Sequence, residues 1–122
     1  MLEGHFYTVK SPLLQEDSIQ AVLEINPAHE IFKGHFPGQP VVPGVCMMQI
    51  VKELLQKATG RTLRLLHGQD LKFLSVIDPQ KNNTVHAEAN YSVLASGDIN
   101  VTARLFLNET TFFKFKGVFT AA

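Results

Sequence analysis

The sequence predicts an α+β fold, with one antiparallel sheet of five to six strands wrapped around a single central helix. Two observations predict it. The C-terminal half alternates apolar and polar residues in runs separated by turn residues, and only one segment carries a long helical period. At 122 residues and 45% apolar, the chain is read as a single domain over residues 1–122.

Near the N-terminus Ile19, Ala21, Leu23 and Ile25 alternate, which predicts a strand. The connection from Asn26 to Pro43 then holds four of the six prolines. It is long and stiff, and such loops often carry function. The helix is predicted from Gly44 to Ala58. Pro43 stands at its start, where a missing N–H costs nothing, and Gly60 is placed to end it. At about 100° per residue, Met47, Ile50, Val51, Leu54, Leu55 and Ala58 form a broad apolar arc. Gln49, Lys52, Glu53 and Gln56 share the opposite, polar side.

A strand over Leu71 to Ile77 is closed by Asp78-Pro79, and His67 before it reads as a loop residue. In Thr84 to Val93, the residues Val85, Ala87, Ala89, Tyr91 and Val93 share one face, which leaves His86 on the other. In Ile99 to Leu107 the inward set is Ile99, Val101, Ala103, Leu105 and Leu107. Thr111 to Phe119 is a Phe-rich strand. Ser96-Gly97-Asp98 and Asn108-Glu109 supply the hairpin turns. A lone sheet around a lone helix leaves a strand edge and a helix flank uncovered, which predicts assembly through an edge strand.

Composition excludes several classes. Lys+Arg and Asp+Glu are 11 each, with no basic block, which argues against nucleic acid or an anionic membrane as partner. The longest apolar run is too short to span a bilayer. The N-terminal residues show no basic segment followed by an apolar one, so no signal peptide is expected. A single Cys46 excludes an internal disulfide and suits the cytoplasm. The five histidines and the lone cysteine lack zinc spacing, so no metal is expected. Cys46 itself reads as a buried, inert thiol.

The densest motif is FKGHFPGQPVVPGVCMMQ, Phe32 to Gln49. Gly34-His35-Phe36-Pro37-Gly38 makes a turn, Pro40 to Val45 follows as Pro-X-X-Pro-Gly-Val, and the helix begins. This eighteen-residue stretch resembles the beta-hydroxyacyl-acyl carrier protein dehydratases of the hot-dog fold. A weaker resemblance continues through Lys72-Phe73 and Asp78-Pro79 into the last strands. The family's N-terminal block is poorly matched, and VKSPLLQEDSIQ stands in its place.

The resemblance implies a 3-hydroxyacyl thioester substrate, carried on the phosphopantetheine of acyl carrier protein or coenzyme A, and no further cofactor. It implies His35 as the base that removes a C2 proton. It implies backbone N–H groups of Gly44 and Val45 as donors to the thioester carbonyl, with Phe36 and Pro43 as further substrate contacts; Glu53, one turn beyond Gln49 on the same helical face and the nearest carboxylate in sequence, is a further candidate contact. The chemistry is sound independently of the resemblance. A histidine titrates near neutral pH, and a helix start offers free N–H donors and partial positive charge to an enolate oxygen. The family's helix carboxylate, which helps the C3 hydroxyl leave, falls on Gln49 here. An amide is neutral and delivers no proton.

Three functions follow from that pattern. The first is a dehydratase producing a trans-2-enoyl thioester. The second is a catalytically impaired subunit that binds acyl thioesters or pairs with an active, carboxylate-bearing homologue. The third is another hot-dog thioester enzyme, an isomerase or thioesterase. The expected partners are acyl carrier protein and a second subunit, as a homodimer, a trimer of dimers or a heterodimer.

Overall fold

A computed structural model of the chain describes residues 1–34 and 40–122. Among the described residues six strands and two helices follow in the order β1 (Tyr7–Leu14), β2 (Ser18–Ile25), α1 (Ile31–Gly34), α2 (Gly44–Thr59), β3 (Leu63–Phe73), β4 (Thr84–Val93), β5 (Ile99–Leu107) and β6 (Thr110–Ala121). The strands form one antiparallel sheet in the order β1-β2-β4-β5-β6-β3.

The inner face is built by alternation. Ile19, Ala21, Leu23 and Ile25 of β2 are buried, as are Val85, Ala87 and Ala89 of β4. Ile99, Val101, Ala103 and Leu105 of β5 join Phe113, Phe115 and Phe119 of β6. Small side chains meet at the sheet centre, where Ala21 pairs with Ala87 and Ala89 with Ala103. Small residues there leave volume for α2, whose Cys46, Met47, Ile50, Val51, Leu54 and Leu55 fill the same core. The helix ends at Gly60, which takes the left-handed conformation (φ 68°) that a Cβ would oppose.

Three expectations are corrected. β1 was absent from the sequence pattern, because all but its first residues are exposed and no alternation is selected. Its Pro12 is tolerated because β1 is an edge strand. The strand expected over Leu71–Ile77 overlaps β3 only at Leu71–Phe73: β3 starts at Leu63 and ends at Phe73, so His67 lies in a strand and not in a loop, and Leu74–Ile77 lie outside it. β3 is also an edge, exposed beyond Leu63 and shifted in register at two points, which hides the period of two. Glu53 does not belong to the solvated side of the helix, since it is 1% exposed.

β6 meets one of those register shifts at Gly117, which pairs with Gly68. A Cβ on Gly117 would stand 2.5 Å from the His67 carbonyl oxygen and 2.6 Å from Phe115 Cζ. A carbonyl in a paired strand has little room to retreat. Gly117→Ala is therefore expected to cost about 2–3 kcal/mol by overpacking, read as a lower midpoint in urea. An unchanged midpoint would show that the β3–β6 pairing yields at this point.

Candidate active site at the start of helix α2

The site begins with the approach to α2. The Val42 amide donates to the Ile77 carbonyl at 2.9 Å, which ties the incoming chain to the segment after β3. Pro43 is buried and is the N-cap, in extended conformation (φ −63°, ψ 148°). Its carbonyl accepts from the amides of Cys46 at 3.0 Å and Met47 at 3.2 Å. Among the described residues no side chain caps this end, and no acidic residue stands in the first turn. The amides of Gly44 and Val45 precede those first bonds, so the helix itself offers them no acceptor.

The helix start opens on an apolar concavity of about 410 Å³, lined by Val42, Gly44, Met47, Phe73, Leu74 and Val76, with Ser75. Phe73 lies over Gly44 so closely that a Cβ there would be 2.9 Å from its ring. The ring is fixed by stacking on Phe113, with centroids 4.9 Å apart. Phe73 is 53% exposed and Val45 75%. The concavity is thus a shallow apolar surface beside a helix start with no side-chain cap among the described residues, an arrangement that can take an apolar group next to a polar acceptor.

One turn further along α2 stands Gln49, partly buried. Its Nε2 donates to Oε2 of Glu53 at 2.8 Å. Glu53 also accepts from the Leu2 amide (2.8 Å, Oε2), the Glu3 amide (2.8 Å, Oε1) and the Tyr7 hydroxyl (3.1 Å, Oε1). Four donors saturate the four lone-pair directions of a carboxylate. Burial pushes the Glu53 carboxyl up, but the bonds from Leu2, Gln49, Glu3 and Tyr7 outweigh it and hold its pKa below the ordinary value. Glu53 is therefore ionised at neutral pH, with no proton to give. Burial, with the Glu53 charge added, drives the Tyr7 hydroxyl far above its usual range, so the phenol stays a donor. Cys46 is buried and its thiol is pushed up by burial, away from the reactive thiolate.

The structure thus brings Pro43, Gly44, Val45 and Gln49 onto one end of α2. It engages Glu53 with the N-terminal segment, leaving it no lone pair for a substrate. His35 and Phe36 lie outside the described residues. Phe73 and Tyr7 were missed from the sequence. Tyr7 reaches Glu53 across 46 positions, and no local pattern announces such a contact. Among the described residues no cluster of His, Cys, Asp or Glu could hold a metal ion. No described helix is long and apolar enough to cross a membrane.

A six-stranded antiparallel sheet around one long helix is the hot-dog fold, and it is shared with solved structures. The dehydratase heterocomplex ApeI:P from Xenorhabdus doucetiae is similar at a TM-score of 0.72 and 22% identity, over 91% of this chain and 93% of that one. The thioesterase HI1161 from Haemophilus influenzae is similar at a TM-score of 0.63 and 15% identity, over 97% of this chain and 80% of that one. The chain belongs to the ApeI-like dehydratase family, whose model matches residues 11–115.

Curated relatives agree at a greater distance. The 3-hydroxyacyl-[acyl-carrier-protein] dehydratase FabZ of Lactococcus lactis subsp. cremoris is 32% identical over 82 residues, 62% of this chain and 57% of that protein. FabZ of Novosphingobium aromaticivorans is 27% identical over 85 residues, 62% of this chain and 54% of that protein. The chain spans about half the length of the curated relatives it matches. It is a dehydratase-like hot-dog protein.

Proposed function

We propose that this protein binds 3-hydroxyacyl thioesters carried on a phosphopantetheine arm, of acyl carrier protein or coenzyme A, in the cytoplasm. The observation that carries this reading is the start of α2, without a side-chain cap among the described residues, opening on the apolar concavity of Phe73, Leu74 and Val76. In the proposed complex the thioester carbonyl meets the amides of Gly44 and Val45, which stabilise an enolate oxygen. His35 takes the C2 proton, and Gln49 holds the C3 hydroxyl. Loss of that hydroxyl as water needs a proton, which neither the Gln49 amide nor the saturated, ionised Glu53 supplies. Dehydration by the chain alone is therefore slow.

A second reading follows from the same lack. The likeness to a dehydratase heterocomplex favours pairing with a homologue that carries the missing carboxylate. Edge strand β3 suits such pairing. Leu65, Leu66, Leu71 and Phe73 are exposed along it, continued by Leu74 and Val76 and by Val45 on the helix flank. The other edge, β1, is blunted by Pro12, a register shift and Ser11 at positive φ (47°). A second copy of the chain fits the β3 edge as well, as a homodimer or within a trimer of dimers.

Purified protein is to be mixed with a 3-hydroxyacyl thioester and the enoyl product followed, with and without a carboxylate-bearing homologue. Binding with little product alone, and more product with the homologue, is the expected result. Release of free thiol would instead favour a thioesterase, and absence of binding would remove the thioester reading. Light scattering at micromolar concentration is expected to give a dimer, and a monomer would count against β3 as the assembly edge.

A further inference from the structure

We propose that Glu53 is a positioning residue that orients the Gln49 amide, presenting its Oε1 as the hydrogen-bond acceptor that selects acyl thioesters with a hydroxyl at C3. This inference rests on the thioester-binding reading above. A side-chain amide can turn either its oxygen or its nitrogen to a neighbour, and the neighbour decides. Glu53 is a decisive neighbour, because an ionised carboxylate only accepts. Reversing Gln49 would set Oε1 against Oε2 at the 2.8 Å now spanned by Nε2, two acceptors with no proton between them. Glu53 cannot turn aside. It is 1% exposed and gripped by the Leu2 and Glu3 amides and the Tyr7 hydroxyl as well.

Nε2 is therefore committed to Glu53, and Oε1 lies on the side of the amide away from it. Among the described residues no donor reaches Oε1. Gln49 follows Gly44 by about 7.5 Å along the helix axis and stands one turn from exposed Val45, on the same flank. A ligand whose carbonyl meets the helix start can bring a substituent two carbons away towards Gln49. A hydroxyl there has a proton to donate to Oε1. A 3-oxo group sets a second acceptor against it, and a saturated chain offers nothing.

The test uses amide-linked analogues of 3-hydroxyoctanoyl-, octanoyl- and 3-oxooctanoyl-pantetheine, in which NH replaces sulfur, with binding read by calorimetry. The full chain is expected to prefer the 3-hydroxy ligand over the saturated one by roughly two- to tenfold, the range of one neutral hydrogen bond. Glu53→Gln lets the Gln49 amide turn and should bring that ratio towards one. A merely structural Glu53 would weaken both ligands together and leave the ratio unchanged. Gln49→Met should abolish the preference with Glu53 in place. If Glu53→Gln does not fold, side-chain amide NMR of the unmodified chain decides. A downfield, slowly exchanging Gln49 Nε2 proton supports the locked orientation, and a freely rotating amide overturns it. Equal affinity for the three ligands overturns the inference while leaving the thioester reading intact. Absence of binding by all three overturns both.

Discussion

Gln49→Glu is expected to raise conversion of a 3-hydroxyacyl thioester to its enoyl product on the order of 10²-fold or more, the gain that a well-placed general acid supplies. The structure gives the reason that the new group would be protonated. The introduced carboxyl would stand against Oε2 of Glu53, where Gln49 Nε2 now lies at 2.8 Å. Two carboxylates at that distance do not both ionise, so the pair holds one proton over a range that belongs to the pair. Glu53 keeps three donors that favour its charged form. The proton therefore settles on position 49, the position from which the leaving hydroxyl needs it.

The gain should depend on the proposed base, so that adding His35→Ala cancels it. Some stability should be lost near neutral pH, because the pair keeps its hydrogen bond only by taking up a proton that the Gln49 amide does not need. If the folded variant yields no enoyl product above background, the site has diverged at more than one position. The reading as a binding subunit, or as one half of a heteromer, would then lead.

Glu53→Gln is expected to cost stability heavily for a change of one atom. An amide at position 53 turns one oxygen and one NH₂ towards four donors, so the donors facing the NH₂ are left buried without an acceptor. Hydrogen bonds to a charged group contribute about 1.5–3 kcal/mol each, and the expected loss is about 3 kcal/mol. That corresponds to a fall in Tm of roughly 10–15 °C for a chain of this size. Amide hydrogen exchange of Leu2 and Glu3 should accelerate, since Glu53 is their acceptor. A Tm within about 2 °C of the parent would show that the N-terminal segment is held by packing alone.

The pH dependence has a definite sign. The folded pKa of Glu53 lies below its ordinary 4.5, so the native state favours the charged form. Its contribution is fully present above about pH 4.5 and is lost as pH falls through the lower, folded value. The Tm difference between parent and Glu53→Gln should therefore be constant near neutrality and shrink in acid. A difference that grows below pH 4 would mean that Glu53 is neutral in the folded protein, contrary to its four donors.

What could be read from the sequence follows from which interactions are local. β4 and β5 are bounded as their alternation predicts, because both lie inside the sheet with one face on the core. α2 runs one residue beyond its expected end and stops at Gly60. Edge strand β1 left no such trace, and of β3 only the end, Leu71–Phe73, was expected, because exposure on both faces selects no period. Cys46 was expected to be buried from its place on an apolar helix, and it is.

Glu53 is the instructive case. Four positions after Gln49, it looks like one more solvated residue on a polar helix face. The fold reverses this by laying the N-terminal segment over that face, so that groups 50 and 51 positions away donate to one carboxylate. The sequence by itself determined the single long helix, the C-terminal hairpins and the presence of an amide at position 49. Only the tertiary structure decided that Glu53 is buried and charged, and which atom of Gln49 faces it. Those properties are set by hydrogen bonds that exist only once distant parts of the chain have closed on one another.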